Sequence, residues 1–310
     1  MNIIFMGTPE FAVLPLEGLI KEYGVSLVVS QPDKMVGRHK ELKMTPVKEV
    51  AIKNNIEVFQ PIKIRDDFQK IIDLKPDLIV TCAYGQIIPK EILNCPKYGC
   101  INIHASLLPK LRGGAPIHKA IIDGYSKTGI TIMYMDEKMD NGDIISQAET
   151  PITDDDNLES LQKRLSVMGK DLILKTIPSI IDKTSSRIPQ DLSEVTYAYN
   201  IKREEEHIDF SNKTSREIFN QVRGLCPTPL ANVLLFDQEM KVIKCYDYKK
   251  KYDNHLPGEI VEVIKDGIVI STIDGSVVFT DIKPFGKKAM SVSSYLNGIG
   301  KDKLIGQVLQ

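Results

Sequence analysis

Residues 77–81, Asp-Leu-Ile-Val-Thr, form a near-continuous apolar run without polar alternation. A strand with that composition is buried on both faces, as the strands of parallel sheets are. The start of the chain supports such a sheet. Residues 2–6 are a second short apolar run, closed by Gly7-Thr8-Pro9. Thr8 as N-cap and Pro9 at the first helical position predict a helix from there. Phe11, Leu14, Leu19 and Ile20 give that helix its apolar stripe, and Gly24 ends it. Residues 25–29 then read as the next strand. This β–turn–α–β opening implies a parallel, doubly wound sheet. The first turn holds one glycine, not G-x-G-x-x-G, so the dinucleotide fingerprint is absent and a nicotinamide-dependent dehydrogenase is disfavoured.

Further along, helices are expected at 46–54, 66–74 and 116–123, and strands at 57–59, 100–104, 129–135 and 144–152. Residues 158–180 repeat Leu, Met and Ile every three or four positions, which predicts one long amphipathic helix. Residues 184–199 lose that periodicity and are read as part of an extended linker. The pattern then changes. A helix near 214–222 precedes five short β-rich runs, at 231–236, 241–247, 258–264, 268–273 and 277–282, with Gly-containing turns at Asp266-Gly267 and Asp274-Gly275. A small OB-like barrel, a fold that commonly binds oligonucleotides, is the natural expectation. The domains are therefore predicted as 1–183, a linker over 184–206, and 207–310.

The chain has 310 residues and a formal net charge of −1, so no global basic field announces a nucleic-acid partner. Five cysteines without C-x-x-C spacing fit neither a disulfide framework nor a zinc site. Cys82 and Cys100 fall in apolar runs and are expected to be inert core thiols. No secretory leader and no membrane span is expected, and a cytoplasmic protein follows.

The stretch 100–116, Cys-Ile-Asn-Ile-His-Ala-Ser-Leu-Leu-Pro-Lys-Leu-Arg-Gly-Gly-Ala-Pro, concentrates the chemistry. Asn102 and His104 stand two residues apart in a predicted strand, so their side chains share a face. Gly113-Gly114 and Pro109 mark the turn beyond, which puts the pair near a strand end, where open α/β sheets bind ligands. Ala83-Tyr84-Gly85 closes the neighbouring strand in the same layer. Asp136, Asp140 and Asp143 crowd the turn after the 129–135 strand. Asp and Asn are ordinary turn residues, yet any one of the three carboxylates could face His104. A further segment, 31–45, carries Lys34, Arg38, His39, Lys40 and Lys43 around Gly37. It reads as an exposed loop, either simply solvated or contacting phosphates.

The motif N-I-H-x-S-L-L-P-x-x-R-G, with an Asp 38 residues after the Asn, resembles that of the folate-dependent formyltransferases. The opening IIFMGTPEFA, the loop QPDK-x-x-GR, the segment TCAYGQIIP and the tail KP-x-GKKAMS are similar to members acting on methionyl-tRNA. The likeness covers nearly the whole chain. One departure is Leu225-Cys226-Pro227, where members often carry Asn before the first Pro. The resemblance implies a Rossmann-like α/β catalytic domain plus an OB-like β-barrel domain. It implies that the formyl group of 10-formyltetrahydrofolate passes to the α-amine of methionyl initiator tRNA; that chemistry requires no metal, and with nothing pointing to an obligate partner a monomer is expected. It assigns Asn102, His104 and Asp140 to catalysis, and Ser106, Leu107, Leu108 and Pro109, with Tyr84 and Gly85, to folate. Arg38, Lys40 and Lys43 are assigned to tRNA.

Those residue types suit the reaction. Attack by an amine on a formyl carbon makes a tetrahedral oxyanion, which needs hydrogen-bond donors aimed at it. The Asn102 amide and the His104 imidazole can both donate. The amine must lose a proton and the leaving nitrogen gain one. Asp140 would orient His104, stabilise its charge and accept the amine's proton. Two rivals remain in view: a formyltransferase for a small amine such as a nucleotide sugar, and a non-catalytic RNA-binding protein on the same scaffold.

Overall fold

The computed structural model describes residues 1–36 and 41–310. Two compact units emerge. The first comprises 1–116, 127–151 and 162–199; the second comprises 117–126, 152–161 and 200–310.

In the first unit, strands β1 (Ile3–Gly7) and β2 (Leu27–Val29) flank helix α1 (Val13–Tyr23). Thr8 does not cap that helix. A short 3₁₀ turn, Glu10–Ala12, precedes α1. The Thr8 hydroxyl is used elsewhere, donating to the Tyr84 carbonyl at 3.0 Å and accepting from Gln31 N at 3.3 Å. Within the 31–45 segment, expected to be an exposed loop, β3 (Lys34–Val36) pairs antiparallel with β4 (Glu41–Lys43). Its paired apolar residues, Met35 and Leu42, both face solvent, so no buried apolar alternation among the described residues betrays the pairing in sequence.

Helix α2 (Pro46–Lys53) is capped by Thr45, whose hydroxyl accepts from Lys48 N. Then come β5 (Val58–Phe59), α3 (Gln69–Asp73), β6 (Leu78–Cys82), α4 (Lys90–Asn94), β7 (Cys100–His104), α5 (Pro116–Ile122), β8 (Lys127–Tyr134), β9 (Ile144–Pro151) and α6 (Leu158–Ile181), of which 117–122 and 158–161 count with the second unit. Helix α3 is shorter than the predicted 66–74.

The sheet order is β5-β2-β1-β6-β7-β8-β9. Strands β5, β2, β1, β6 and β7 run parallel; β8 pairs antiparallel with β7, and β9 antiparallel with β8. The order reverses at β1 and β6, the place where such sheets form a ligand crevice. Both strands are buried along their whole length, and Phe5, fully buried, contributes about 1.5–3 kcal/mol on its own. Cys82 and Cys100 are buried as expected, and burial pushes both thiols far above their ordinary range.

In β7 the pleat sorts the side chains. Ile103 packs against Gly169 of α6, where a Cβ would come within 3.1 Å of it. Asn102 and His104 take the opposite face.

In the second unit, α7 (Ser215–Leu225) opens with a Thr214/Glu217 capping box. The five predicted strands are present as β10 (Ala231–Leu235), β11 (Gln238–Asp247), β12 (Ile260–Val263), β13 (Ile268–Ser271) and β14 (Ser276–Pro284). A short β15 (Met290–Ser291) and helix α8 (Val292–Ile299) follow. The sheet is antiparallel, in the order β10-β11-β14-β13-β12. The last residues of the chain bridge its two outer strands: Gln310 exchanges backbone hydrogen bonds with Leu234 of β10, and Gly306 and Gln307 bond to Ile260 of β12. Phe279, fully buried, lies at the core of this unit.

Candidate active site

Strand β7 places Asn102 and His104 side by side, and Asp140 faces both. Asn102 Nδ2 donates to Asp140 Oδ1 at 3.4 Å, and His104 Nδ1 lies 3.6 Å from the same oxygen. The choice among three carboxylates is settled by geometry. Asp136 accepts from Lys138 N and Asn141 Nδ2 within its own loop, and Asp143 lies 3.9 Å from Arg187. The approach differs from a meeting of parallel strand ends. Strand β8 is antiparallel to β7, so Tyr134 pairs with Ile101 and His104 with Thr131. The 135–143 connection therefore leaves beside the start of β7 and returns along it to reach His104.

Each group is held by partners remote in sequence. The Thr81 hydroxyl lies 2.8 Å from Asn102 Oδ1. Because Asp140 only accepts, the Asn102 amide nitrogen must face it, and the oxygen must receive the Thr81 proton. His104 Nε2 lies 3.0 Å from the Leu111 carbonyl, which also only accepts. Nε2 thus carries a hydrogen, and Nδ1, on the Asp140 side, is the nitrogen left to gain or lose a proton. His104 is nearly enclosed, and Asp140 is mostly so.

The Asp140 loop is clamped twice. Gly113 N donates to Asp140 Oδ2 at 2.8 Å. Gln190 Nε2 donates to the carbonyls of Asp140 (2.9 Å) and Gly142 (2.8 Å). Gln190 Oε1 accepts in turn from Nε and NH2 of the buried Arg112, whose NH1 reaches Asn141 Oδ1. Leu111 and Asp140 both have positive φ, 60° and 48°, conformations that non-glycine residues seldom adopt without such clamps. Gly113 sits at φ 125°, and a Cβ there would come within 2.6 Å of the Ala198 carbonyl. The 184–199 segment, predicted as linker, is therefore packed into the first unit. Ile188 pairs with Ile144, and Arg112 N donates to the Thr196 carbonyl.

Ser106, Leu107, Leu108 and Pro109 make a tight turn beyond β7. The Ser106 hydroxyl donates to the Lys110 carbonyl, and Thr131 Oγ1 donates to the Ser106 carbonyl. Leu108 N donates to Thr131 Oγ1, while its carbonyl accepts from Gln147 Nε2. The backbone of Leu108 is thus already engaged; Leu107 and Pro109 remain half-buried at the rim. Tyr84 has its ring in the core, and burial pushes its phenol up to about 12. Gly85 sits at φ 88°, and a Cβ there would lie 3.5 Å from Gln31 Nε2. Lys43 is exposed and lies directly opposite Lys34 across the β3–β4 ladder. Arg38 and Lys40 lie outside the described residues.

Thr81, Leu111, Arg112 and Gln190 carry supporting contacts that sequence reasoning did not assign. Thr81 offers the most direct test. Thr81→Val keeps the shape and removes the hydroxyl that orients Asn102, so a roughly tenfold loss in kcat is expected. Thr81→Ser should recover most of it. Steady-state kinetics with either substrate varied checks this, and an unimpaired Thr81→Val enzyme would contradict the orientation argument.

Comparison with known proteins adds independent findings. The family model described as formyl transferase matches residues 1–177, and that of the formyl transferase C-terminal domain matches residues 200–300. A methionyl-tRNA formyltransferase of Staphylococcus epidermidis is 48% identical over 99% of both chains. One from Bacillus cytotoxicus is 50% identical over 96% of both. Among solved structures, an N-formyltransferase from Helicobacter canadensis, in complex with folinic acid and dTDP-3-aminofucose, superposes with a TM-score of 0.68. It is 23% identical, covering 91% of this chain and 99% of its own, a likeness of fold.

Proposed function

We propose, because the chain belongs to the formyl transferase family, that it transfers the formyl group of 10-formyltetrahydrofolate to the α-amine of methionyl initiator tRNA. The observation that carries the chemistry is the Asn102–His104–Asp140 cluster, supported on every side by the hydrogen bonds above. The full-length relatives are named for methionyl-tRNA, and this favours that acceptor over a small amine.

The donor set fits a formyl folate. Asn102 Nδ2 spends one hydrogen on Asp140 and has a second for the oxyanion. Such a donor typically accounts for ~10²–10³ in rate. Asp140 takes the proton from the attacking amine as the new C–N bond forms. His104, fixed through Nε2 on Leu111, hands a proton from Nδ1 to the folate nitrogen as the old C–N bond breaks. The two groups share a face 3.6 Å apart, so the proton gained by Asp140 can replace the one His104 gives up. The 106–109 turn walls the folate, chiefly through Leu107 and Pro109, with Ser106 and Leu108 holding its shape; Tyr84 and Gly85 close the neighbouring strand end.

For the tRNA, like charges directly opposite in a ladder destabilise it, and a phosphate between Lys34 and Lys43 would relieve them. Arg38 and Lys40, from the same segment of the sequence, are assigned to the tRNA as well. The unit that carries the cluster, which includes 184–199, is the catalytic one, and 207–310 serves tRNA binding, where Lys249, Lys250, Lys251, Lys287 and Lys288 are all exposed. No helix among the described residues is long and apolar enough to cross a membrane. A cytoplasmic monomer suits a translation enzyme with these substrates.

Side-by-side acceptors test the proposal. With 10-formyltetrahydrofolate present, methionyl initiator tRNA should be formylated, and free methionine or an amino-sugar nucleotide should not. Preferential formylation of the sugar nucleotide would overturn it.

A further inference from the structure

Two tyrosines on the segment bordering the cluster have no structural task that packing explains. Tyr197 and Tyr199 are 50% and 61% exposed, whereas Ala198 between them is fully buried. In an extended chain that alternation turns both rings outward on one side. The rings stack on each other, with centroids 5.5 Å apart and planes within 4° of parallel. The stacked pair stands more than half exposed to solvent.

Their place relative to the reacting groups is fixed by backbone pairing. Arg112 N donates to the Thr196 carbonyl at 2.9 Å, and Ala198 N donates to the Arg112 carbonyl at 2.7 Å. Arg112 and Tyr197 are thus partners in a parallel pair. Partners in such a ladder point to the same side. Tyr197 therefore shares the side of the Arg112 guanidinium, which reaches Asn141 beside Asp140. On the other edge of the same short stretch, Gly113 N donates to Asp140 Oδ2. One strand spacing and one hydrogen bond separate the Tyr197 backbone from the Asp140 carboxylate, a span of about 10 Å.

The acceptor imposes the same distance. In methionyl-tRNA the reacting amine is tied through an ester to the ribose of the terminal nucleotide. At about 1.5 Å per bond, the terminal base lies on the order of 10 Å from the amine. The last bases of the acceptor strand are unpaired, and unpaired bases stack on exposed aromatic rings with little regard to sequence.

We propose that Tyr197 and Tyr199 form the stacking platform for the 3′-terminal nucleobases of the acceptor tRNA, adenine first. The assignment rests on methionyl-tRNA being the acceptor. The platform lies outside both stretches matched by the family models, at 1–177 and 200–300.

A fluorescent base tests it. A methionyl-tRNA whose terminal adenine is replaced by 2-aminopurine should lose fluorescence on binding the full-length wild-type protein, because stacking quenches that base. In the Tyr197→Leu/Tyr199→Leu variant the quench should largely vanish. Its KM for methionyl-tRNA should rise roughly tenfold or more, the loss typical of one lost stack, with the KM for folate unmoved. Tyr197→Phe/Tyr199→Phe keeps the rings and should restore both quench and KM. Absence of a quench in the wild type overturns the platform, as does a Leu variant that quenches normally or a Phe variant as impaired as the Leu one. Failure of the acceptor assignment itself would show differently, as no formylation of methionyl-tRNA by the wild type.

Discussion

Asp140→Asn should lower kcat by about 10²–10³, the scale of a lost general base, while both KM values should stay within about threefold. Asparagine is the informative replacement. It matches aspartate in shape, and it is among the few residues that tolerate a positive φ such as the 48° at this position. Its amide oxygen can still accept from Gly113 N, so the loop keeps its anchor. What disappears is the group that can take a proton from the amine and face His104 Nδ1 as an anion. Steady-state kinetics and a thermal melt of the same preparation check the expectation. A variant that turns over within threefold of wild type would remove Asp140 from the proton path.

Gln190→Glu should cost about 10- to 100-fold in kcat at neutral pH, and the deficit should shrink as the pH falls. The introduced carboxylate can still accept from Arg112, so the contacts made by Gln190 Oε1 survive. It cannot donate to the carbonyls of Asp140 and Gly142, which would face a negative oxygen instead of an N–H. Leaving such buried acceptors unpaired costs about 1–3 kcal/mol, and the Asp140 backbone loses its clamp. Protonating the introduced carboxyl, with an ordinary glutamate value near 4.3, returns one donor. The ratio of variant to wild-type kcat should therefore climb between about pH 7 and pH 5. A ratio that stays flat across that range would mean that Gln190 acts only as general packing. Gln190→Ala, with no donor to recover, serves as the flat control.

These two residues mark where the sequence was legible and where it was not. The two-residue spacing of Asn102 and His104 places them on one face whatever the rest of the chain does, because the pleat has period two. The buried parallel strands were equally plain, since Ile3, Ile4, Leu78, Ile79 and Val80 leave no polar face. Asp140 was separable from Asp136 and Asp143 only through family resemblance, because its position depends on a loop folding back along an antiparallel strand. Gln190 was invisible. It lies in a stretch with neither helical nor strand periodicity, and its contacts are made 48 to 78 residues away in sequence. Thr81 was hidden for a different reason: inside an apolar run, a threonine reads as ordinary β-branched filler. The β3–β4 pairing was missed because its paired apolar residues, Met35 and Leu42, face solvent.

The central claim is that Asn102, His104 and Asp140 act as one unit in formyl transfer. Single-turnover transfer of labelled formyl from 10-formyltetrahydrofolate to methionyl-tRNA should be measured for the three single alanine variants and for the triple. Residues that act together are strongly non-additive. The account predicts that the triple variant is no slower than the slowest single variant, within about threefold. Losses that multiply across the three positions would contradict it, as would wild-type transfer in any single variant.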